Sequence, residues 1–540
     1  MRLGLAGAAL AVWTLALCAV APVARGNPQP VASDAPGTGE AAPVRFFIRE
    51  YQVRGNHQLS VAAVERALFP HMGPGRSIET VEAARVSLEQ AYRDAGYETV
   101  LVNIPPQDVV GGVVRLEVVE GQVTRLRVRD ARYFLPSVVK AEVPELAEGR
   151  VPHMPTAQRQ LARAQAVSVD RRLVPVLRPG AVPGALEVDL RVRDKLPFHG
   201  RLELNGRNSA HTSRLRASAN FRYDNLWQAF HSASLQVQFS PQQSEDVRVI
   251  SGSYVVPVGD RARAVGYALR SESEAPVAAA DALASVGAGD ILGFRWVQPV
   301  GSGRTASQSV GFGLDFKDFE DDVVLVGADN LSTPIQYLPW TLEYSWVGLP
   351  PRVAQEFRLA AHGHWRGLVG EEEDFRAKRF RASASYLYLT ADWRARWPLG
   401  NWDLVPRLGL QWADAPLINK EQISAGGSES VRGYYESQQL GDQGLVAGLA
   451  LETPVWPASG AWATRLSLRG SLFTEGARLW VQEPLPGTPA RSDLASVGVA
   501  LRGAVGPHVE LSAAHAVALE NNGTIEAGDV RSHFSLAWRW

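Results

Sequence analysis

The chain has 540 residues and a formal net charge of −1, so no basic excess points to nucleic acid and no acidic tail to a basic partner. That length suits two to four ordinary domains, or one large closed barrel with appendages. A mean hydropathy near neutral fits a water-soluble protein, and equally a transmembrane β-barrel whose alternate strand residues face a polar lumen.

Arg2 opens an uncharged apolar run, "LGLAGAALAVWTLALCAV", and small residues flank Arg25 at Ala24 and Gly26. This layout reads as a cleaved secretory signal over residues 1–26, the alternative being a short membrane anchor. The only cysteine, Cys18, lies inside it behind bulky Leu17, a poor lipidation site. The mature chain is therefore expected to hold no thiol, disulfide or cysteine metal site. Later stretches all fall short of the ~20 apolar residues of a membrane helix. Residues 27–44, rich in Pro, Gly and Ala, read as a disordered linker.

From Arg45 the pattern changes. "RFFIREYQVRG" alternates like a strand, "LSVAAVERALFP" and "SIETVEAARVSLEQAYRDAGY" have helical spacing, and "TVLVNIP" and "GVVRLEVVEG" are two further strands. Ser77 with Thr80 and Glu82 offers a helix start and Gly96 a stop. A second round follows with strand "QVTRLRVRD", helices around "LPSVVKAEV" and "TAQRQLARAQAV", and strands "RLVPVLRPG" and "ALEVDLRVRD". Two tandem copies of one β-α-α-β-β unit are expected.

After Leu196 the sequence shows only short alternating stretches and no convincing helix. In "RLRASANFRYD", Leu215, Ala217, Ala219, Phe221 and Tyr223 share one face, and Arg214, Arg216, Ser218, Asn220, Arg222 and Asp224 the other. "SLQVQFS" and "VGFGLDFK" alternate likewise, and "FSLAWRW" puts Phe534, Leu536, Trp538 and Trp540 on one side. Trp393, Trp397, Trp402 and Trp412 sit at strand ends, as in the aromatic girdles of membrane barrels. About 345 residues at roughly 20 per strand and loop predict about sixteen antiparallel strands.

Loop lengths give an independent check. Counted back from the C-terminus, strands are expected at Arg531–Trp540, Val509–Leu519, Leu494–Arg502, Trp462–Glu475, Asp442–Glu452 and Trp402–Trp412. Their connections alternate between long and short, the phase of a barrel with short periplasmic turns and long extracellular loops. "GGSESVRGYYE" then falls in a long extracellular-side loop. Pro406 interrupts its strand and calls for a bulge or a lost ladder bond.

With "VRGNHQLS", "AYRDAGY", "NIPPQDVVGGVVRLEVVEG" and "VLRPGAVPGALEVDL" in the repeats, and "GGSESVRGYYESQQLGDQG" and "FSLAWRW" beyond them, the chain resembles a known family. These are the outer-membrane transporters of two-partner secretion, of the ShlB/FhaC/HecB haemolysin secretion and activation type. The resemblance runs from about Arg45 to Trp540. It implies an outer-membrane protein of a Gram-negative bacterium, with polypeptide-transport-associated (POTRA) domains at 45–121 and 122–196 in the periplasm and a sixteen-stranded transmembrane barrel at 197–540. It also implies export, without ATP, of one large secreted exoprotein. Further implied partners are outer-membrane lipid and a barrel-assembly machinery that reads the terminal row Phe534, Leu536, Trp538 and Trp540.

The motif Val431-Arg432-Gly433-Tyr434 has a physical reading beside the resemblance. Gly433 permits positive φ, so the loop can turn sharply back into the lumen. Arg432 offers a five-donor planar fork suited to a carboxylate. In the family that arginine pairs with an aspartate in an F-x-D-x-G pattern. The matching stretch here is "FTEGARLW", with Glu475 in the aspartate's place and Ala477 in the glycine's. If Leu466, Leu468 and Leu472 face lipid, then Arg465, Arg469 and Glu475 face inward. The alternative is an exposed loop arginine with no partner.

The small sheets of the repeats can add an extended client chain at an open edge, or serve as spacers with protected edges. The sequence carries no HExxH, Walker loop or GxGxxG turn, and "GGSES" is not a GxSxG elbow. "EEED" (Glu371 to Asp374) lacks ordered calcium-ligand spacing and reads as a solvated loop. His57, His71 and His153 show no metal spacing. No enzyme, metal, cofactor or nucleic-acid partner is expected.

Three functions compete: a protein translocase, a barrel-assembly insertase of the same superfamily, and a passive porin. Two repeats favour the first, since insertases typically carry more and porins carry none. A toxin, an adhesin and a contact-dependent inhibitor would leave the same signature as clients. Family members often plug the lumen with an N-terminal helix, but residues 27–44 are too short and too rich in Pro and Gly for a stable one. Planar-bilayer conductance of protein starting at Arg45 should therefore match that of the full mature chain; a marked rise on truncation would refute this.

Overall fold

The computed structural model of the protein describes residues 45–540 apart from 211, 245, 260, 274–276, 280–282, 287, 304, 321, 324–330, 333, 349–352 and 458–464. The expected signal segment (1–26) and linker (27–44) lie outside the described residues. The chain divides into two units, Met1–Tyr92 with Val102–Val118, and Arg93–Leu101 with Val119–Trp540.

The first α/β domain is built on a three-stranded sheet. Glu50–Arg54 runs parallel to Val113–Val119, and Leu101–Asn103 flanks the latter. Helices Val61–Leu68 and Ile78–Asp94 accompany it. Their buried residues, Val64 and Leu68, then Val81, Ala84, Leu88 and Tyr92, recur every three to four positions, the spacing that sets one helix face on a core. The Ser60 hydroxyl caps the first helix by accepting from the Ala63 N–H at 3.3 Å. One element departs from the expected order. Gly73–Arg76 is a short strand paired with Phe46–Ile48, in a "GPGR" stretch whose composition reads as a turn.

A second α/β domain repeats the plan. Gln122–Arg129 runs parallel to Ala185–Asp194, which pairs antiparallel with Arg171–Pro179. Helices Pro136–Ala141 and Met154–Val167 complete it.

The remainder is a closed antiparallel barrel of sixteen strands. In chain order these are β1 (Phe198–Asn205), β2 (Arg216–Leu226), β3 (His231–Phe239), β4 (Arg248–Val258), β5 (Ala262–Ser271), β6 (Gly289–Ser302), β7 (Ala306–Phe319) and β8 (Ile335–Tyr337 with Trp340–Gly348). There follow β9 (Ala354–His364), β10 (Tyr386–Leu399), β11 (Trp402–Ala413), β12 (Gln443–Glu452), β13 (Leu466–Trp480), β14 (Arg491–Val505), β15 (Val509–Ala518) and β16 (Val530–Arg539). Both pieces of β8 pair with β7, so they form one interrupted strand. β16 closes on β1 from Ser535↔Asn205 to Arg539↔Arg201.

Burial is inverted relative to a soluble sandwich. Leu292 is 64% exposed, Leu342 50% and Phe312 43%, whereas inward Asp315 is 4% exposed. An apolar outer belt around a polar interior is stable only in lipid. No described helix is long and apolar enough to cross a membrane.

Pro406 keeps its register with Leu449 of β12. On the β10 side, paired positions resume only at Arg394↔Arg407 and Trp397↔Leu404. The ladder is thus lost at the proline without a bulge, as its missing N–H requires. β13 and β14 are displaced from expectation: Leu466–Trp480 instead of Trp462–Glu475, and Arg491–Val505 instead of Leu494–Arg502. β13 runs on because Ala477 and Leu479 still face a packed interior, where both are buried.

Candidate functional site

The connection between β11 and β12 turns back into the lumen. Ile423–Ala425 pairs antiparallel with Gln439–Gly441, and the chain beyond forms a tip around the expected motif. Gly433 adopts φ 104°. A Cβ there would come within 3.3 Å of the Ala518 nitrogen and 3.4 Å of Ser496 Cβ, so close approach to β14 and β15 requires glycine.

Val431 and Tyr434 are fully buried and pack with Ala477, Leu479, Leu494 and Ala518 of the barrel wall. The Tyr434 hydroxyl lies 2.8 Å from the Glu520 carbonyl and 3.0 Å from that of Ala495, and accepts from the Glu520 N–H at 3.1 Å. Satisfying the phenol this way lets the ring be buried whole. The tip therefore has its own small core inside the barrel.

Arg432 and Glu475 are brought together. Arg432 Nη2 and Nε donate to Glu475 Oε1 at 2.5 and 3.0 Å, and the Arg432 backbone N–H donates to Oε2 at 2.8 Å. The carboxylate is 1% exposed and the guanidinium side chain 12%. The guanidinium also stacks 3.3 Å from the centre of the Phe473 ring, a cation–π contact.

The pair is not one-to-one, as the sequence suggested. Arg407 of β11 donates from Nη2 to Glu475 Oε1 at 2.7 Å, and its guanidinium reaches the Glu429 and Ser430 carbonyls. The register explains it. Arg407 faces Gly448, which faces Glu475, and any Cβ on Gly448 would meet Arg407 Nε at 2.5 Å. Glycine on β12 opens the gap through which Arg407 crosses to β13. Alternation alone could not reveal this, since Arg407 is one of several inward arginines.

The extracellular end holds a correction. "EEED" is not a solvated loop: Glu372–Lys378 forms a helix closed by a capping box between Glu371 and Asp374. It buries Phe375 completely, 5.6 Å from Tyr337 and 5.5 Å from His364 between ring centres. Arg379, just beyond the helix, donates to both oxygens of buried Asp442 at 2.5 and 2.7 Å. The helix is thereby tied to the end of the inserted loop.

Phe534, Leu536, Trp538 and Trp540 all face outward. Trp540 lies over Gly200 of β1, where a Cβ would sit 1.9 Å from its ring. Its ring centre is 6.2 Å from Phe198 and 6.1 Å from Phe221. Among the described residues one His/Asp group converges: His199 Nε2 lies 2.9 Å from Asp170 and 3.4 Å from Asp224. Lys195 at 3.2 Å from Asp170 and Arg222 at 3.2 Å from Asp224 supply the counter-charge, so the group reads as an ion-pair cluster, not a metal centre.

The model of the haemolysin secretion/activation protein family ShlB/FhaC/HecB matches residues 184–469, and that of the ShlB-type POTRA domain matches residues 46–121. The outer membrane transporter CdiB of Dickeya dadantii (strain 3937) is 22% identical over 432 residues, covering 76% of this chain and 73% of that protein. Among solved structures, CdiB from Escherichia coli shares the fold with a TM-score of 0.59 at 16% identity, covering 94% of this chain and 93% of that one. BamA from Haemophilus ducreyi lacking POTRA domains 1–3 gives 0.57 at 15% identity, covering 92% and 100%.

Proposed function

The chain belongs to the ShlB/FhaC/HecB haemolysin secretion/activation family of outer-membrane transporters, and from that premise we propose that it exports one large secreted partner protein through its lumen without ATP. In this reading residues 45–121 and 122–196 are two periplasmic domains that receive the partner as an extended chain, and residues 197–540 form the pore. Val431, Arg432, Gly433 and Tyr434 fasten the inserted loop, and Glu475 is its holdfast.

The observation that carries the reading is the inserted loop, fastened by a buried carboxylate inside a closed barrel. A passive porin has no need of a strap held by paired guanidinia. On the wall beside the strap, Arg358 faces Asp392 across β9 and β10, and Arg358, Asp392 and Arg394 are exposed charged side chains. Charged, solvated walls suit an unfolded chain because they offer it no apolar surface on which to collapse.

A second reading, an insertase of outer-membrane barrels, is favoured by the near-equal TM-scores of the CdiB and BamA folds. One experiment separates the two. Deleting the gene should stop release of a large repeat protein encoded beside it and leave the other outer-membrane barrels at normal levels. A general fall in those barrels would instead establish the insertase.

A further inference from the structure

We infer that Glu421 is a second fastening point of the inserted loop, holding its base to strands of the wall remote from Glu475. Its bearing on transport rests on the reading above that the fastened loop takes part in export. Glu421 is 3% exposed. Its Oε1 accepts from Lys317 Nζ at 2.6 Å and from the Tyr337 hydroxyl at 2.7 Å, and its Oε2 from the Tyr388 hydroxyl at 2.8 Å. Those three donors come from β7, β8 and β10, whereas Glu475 is on β13. A buried carboxylate is tolerated only with partners of this quality, and here three separate strands supply them to one loop residue.

The neighbours reinforce the grip. Lys420 Nζ lies 5.2 Å from the centre of the Phe319 ring on β7. Gln411 Nε2 donates to the Glu421 carbonyl at 3.0 Å and to the Asp442 carbonyl at 3.2 Å, joining the two ends of the loop. The loop is therefore a strap held at both ends. Loss of Arg432 loosens its tip, and loss of Glu421 loosens its base, which Arg379 and Gln411 also hold through Asp442. Glu421 is in this sense a positioning residue of the transport pathway.

Thiol labelling reads the two ends separately, because the chain's only natural cysteine is Cys18. Ser424→Cys reports on the base and Ser428→Cys on the tip. In inserted barrels, Glu421→Gln should speed labelling at 424 about tenfold and leave 428 within about twofold, the pattern of a local opening. Arg432→Ala should give the reverse, and Glu421→Asp should restore part of the protection at 424. Should Glu421→Gln fail to insert, the paired change Lys317→Met with Glu421→Gln, which leaves no unpaired buried charge, is read in its place. Labelling at 424 that stays within twofold of the parent overturns the inference. Export measured in the same strains keeps the two claims apart. Faster labelling at 424 with unchanged export upholds the anchor and sinks the loop's role in transport.

Discussion

Glu475→Gln should abolish most export while leaving the barrel inserted, and it should be more damaging than Arg432→Ala. The asymmetry follows from the shared carboxylate. Removing Arg432 leaves Glu475 paired with Arg407, so the buried charge keeps one partner. Neutralising Glu475 strips the counter-charge from two guanidinia at once. Breaking such a pair costs ~2–4 kcal/mol after allowance for a hydrated lumen. That is enough to move the ratio of fastened to free loop by roughly 30- to 1,000-fold.

Arg432→Lys should rescue poorly. An ammonium cannot reproduce the fork that spans Nε and Nη2, and it stacks less well on Phe473. Arg407→Ala should impair export less than either change, because Arg432 still holds the carboxylate. The measurement is exported partner per inserted transporter across the single and double variants. The double variant Arg432→Ala with Glu475→Gln should be no worse than Glu475→Gln alone. If the two single defects multiply in the double variant, the residues act independently and the pairing has no part in export.

The wall of this barrel was legible because lipid and lumen impose opposite preferences on alternate residues. That parity alone places Leu472 outside and Glu475 inside. The fastening motif was legible for a related reason: glycine and arginine are conspicuous in a loop that should otherwise be only polar. What stayed hidden depends on three-dimensional juxtaposition. Arg407 reaches Glu475 across a glycine on an intervening strand, and nothing in its own stretch marks it out. Glu421 looks like an ordinary solvated loop residue until Lys317, Tyr337 and Tyr388, from three strands, close around it. The Glu372–Lys378 helix is only seven residues long, too short for periodicity, and its acidic start resembles open loop. Its burial of Phe375 is a tertiary effect that local propensity does not carry.

Removing Ala537 to Trp540 should nearly eliminate the protein from the outer membrane with little change in its synthesis. The structure shows what the deletion takes away. The closing seam pairs Ala537 with Glu203, Trp538 with Leu202 and Arg539 with Arg201, and Trp540 exchanges backbone hydrogen bonds with Gly200 at 3.2 and 3.5 Å. Only Ser535↔Asn205 and Leu536↔Leu204 would remain of the strand register that joins β16 to β1. The backbone groups of β1 freed by the loss would face hydrocarbon, at several kcal/mol for each group left unpaired. The deletion also removes the indole that lies on Gly200 and stacks against Phe198 and Phe221, so the apolar cover of the seam goes with its hydrogen bonds. A point change separates the two effects. Trp540→Ala keeps the backbone pairing and loses only the aromatic cover, so it should lower the inserted protein several-fold where the deletion removes nearly all of it. Heat-modifiable mobility on gels of outer-membrane fractions measures both. A normal folded band from the deletion would show that β1 and β16 can close the barrel without their periplasmic half.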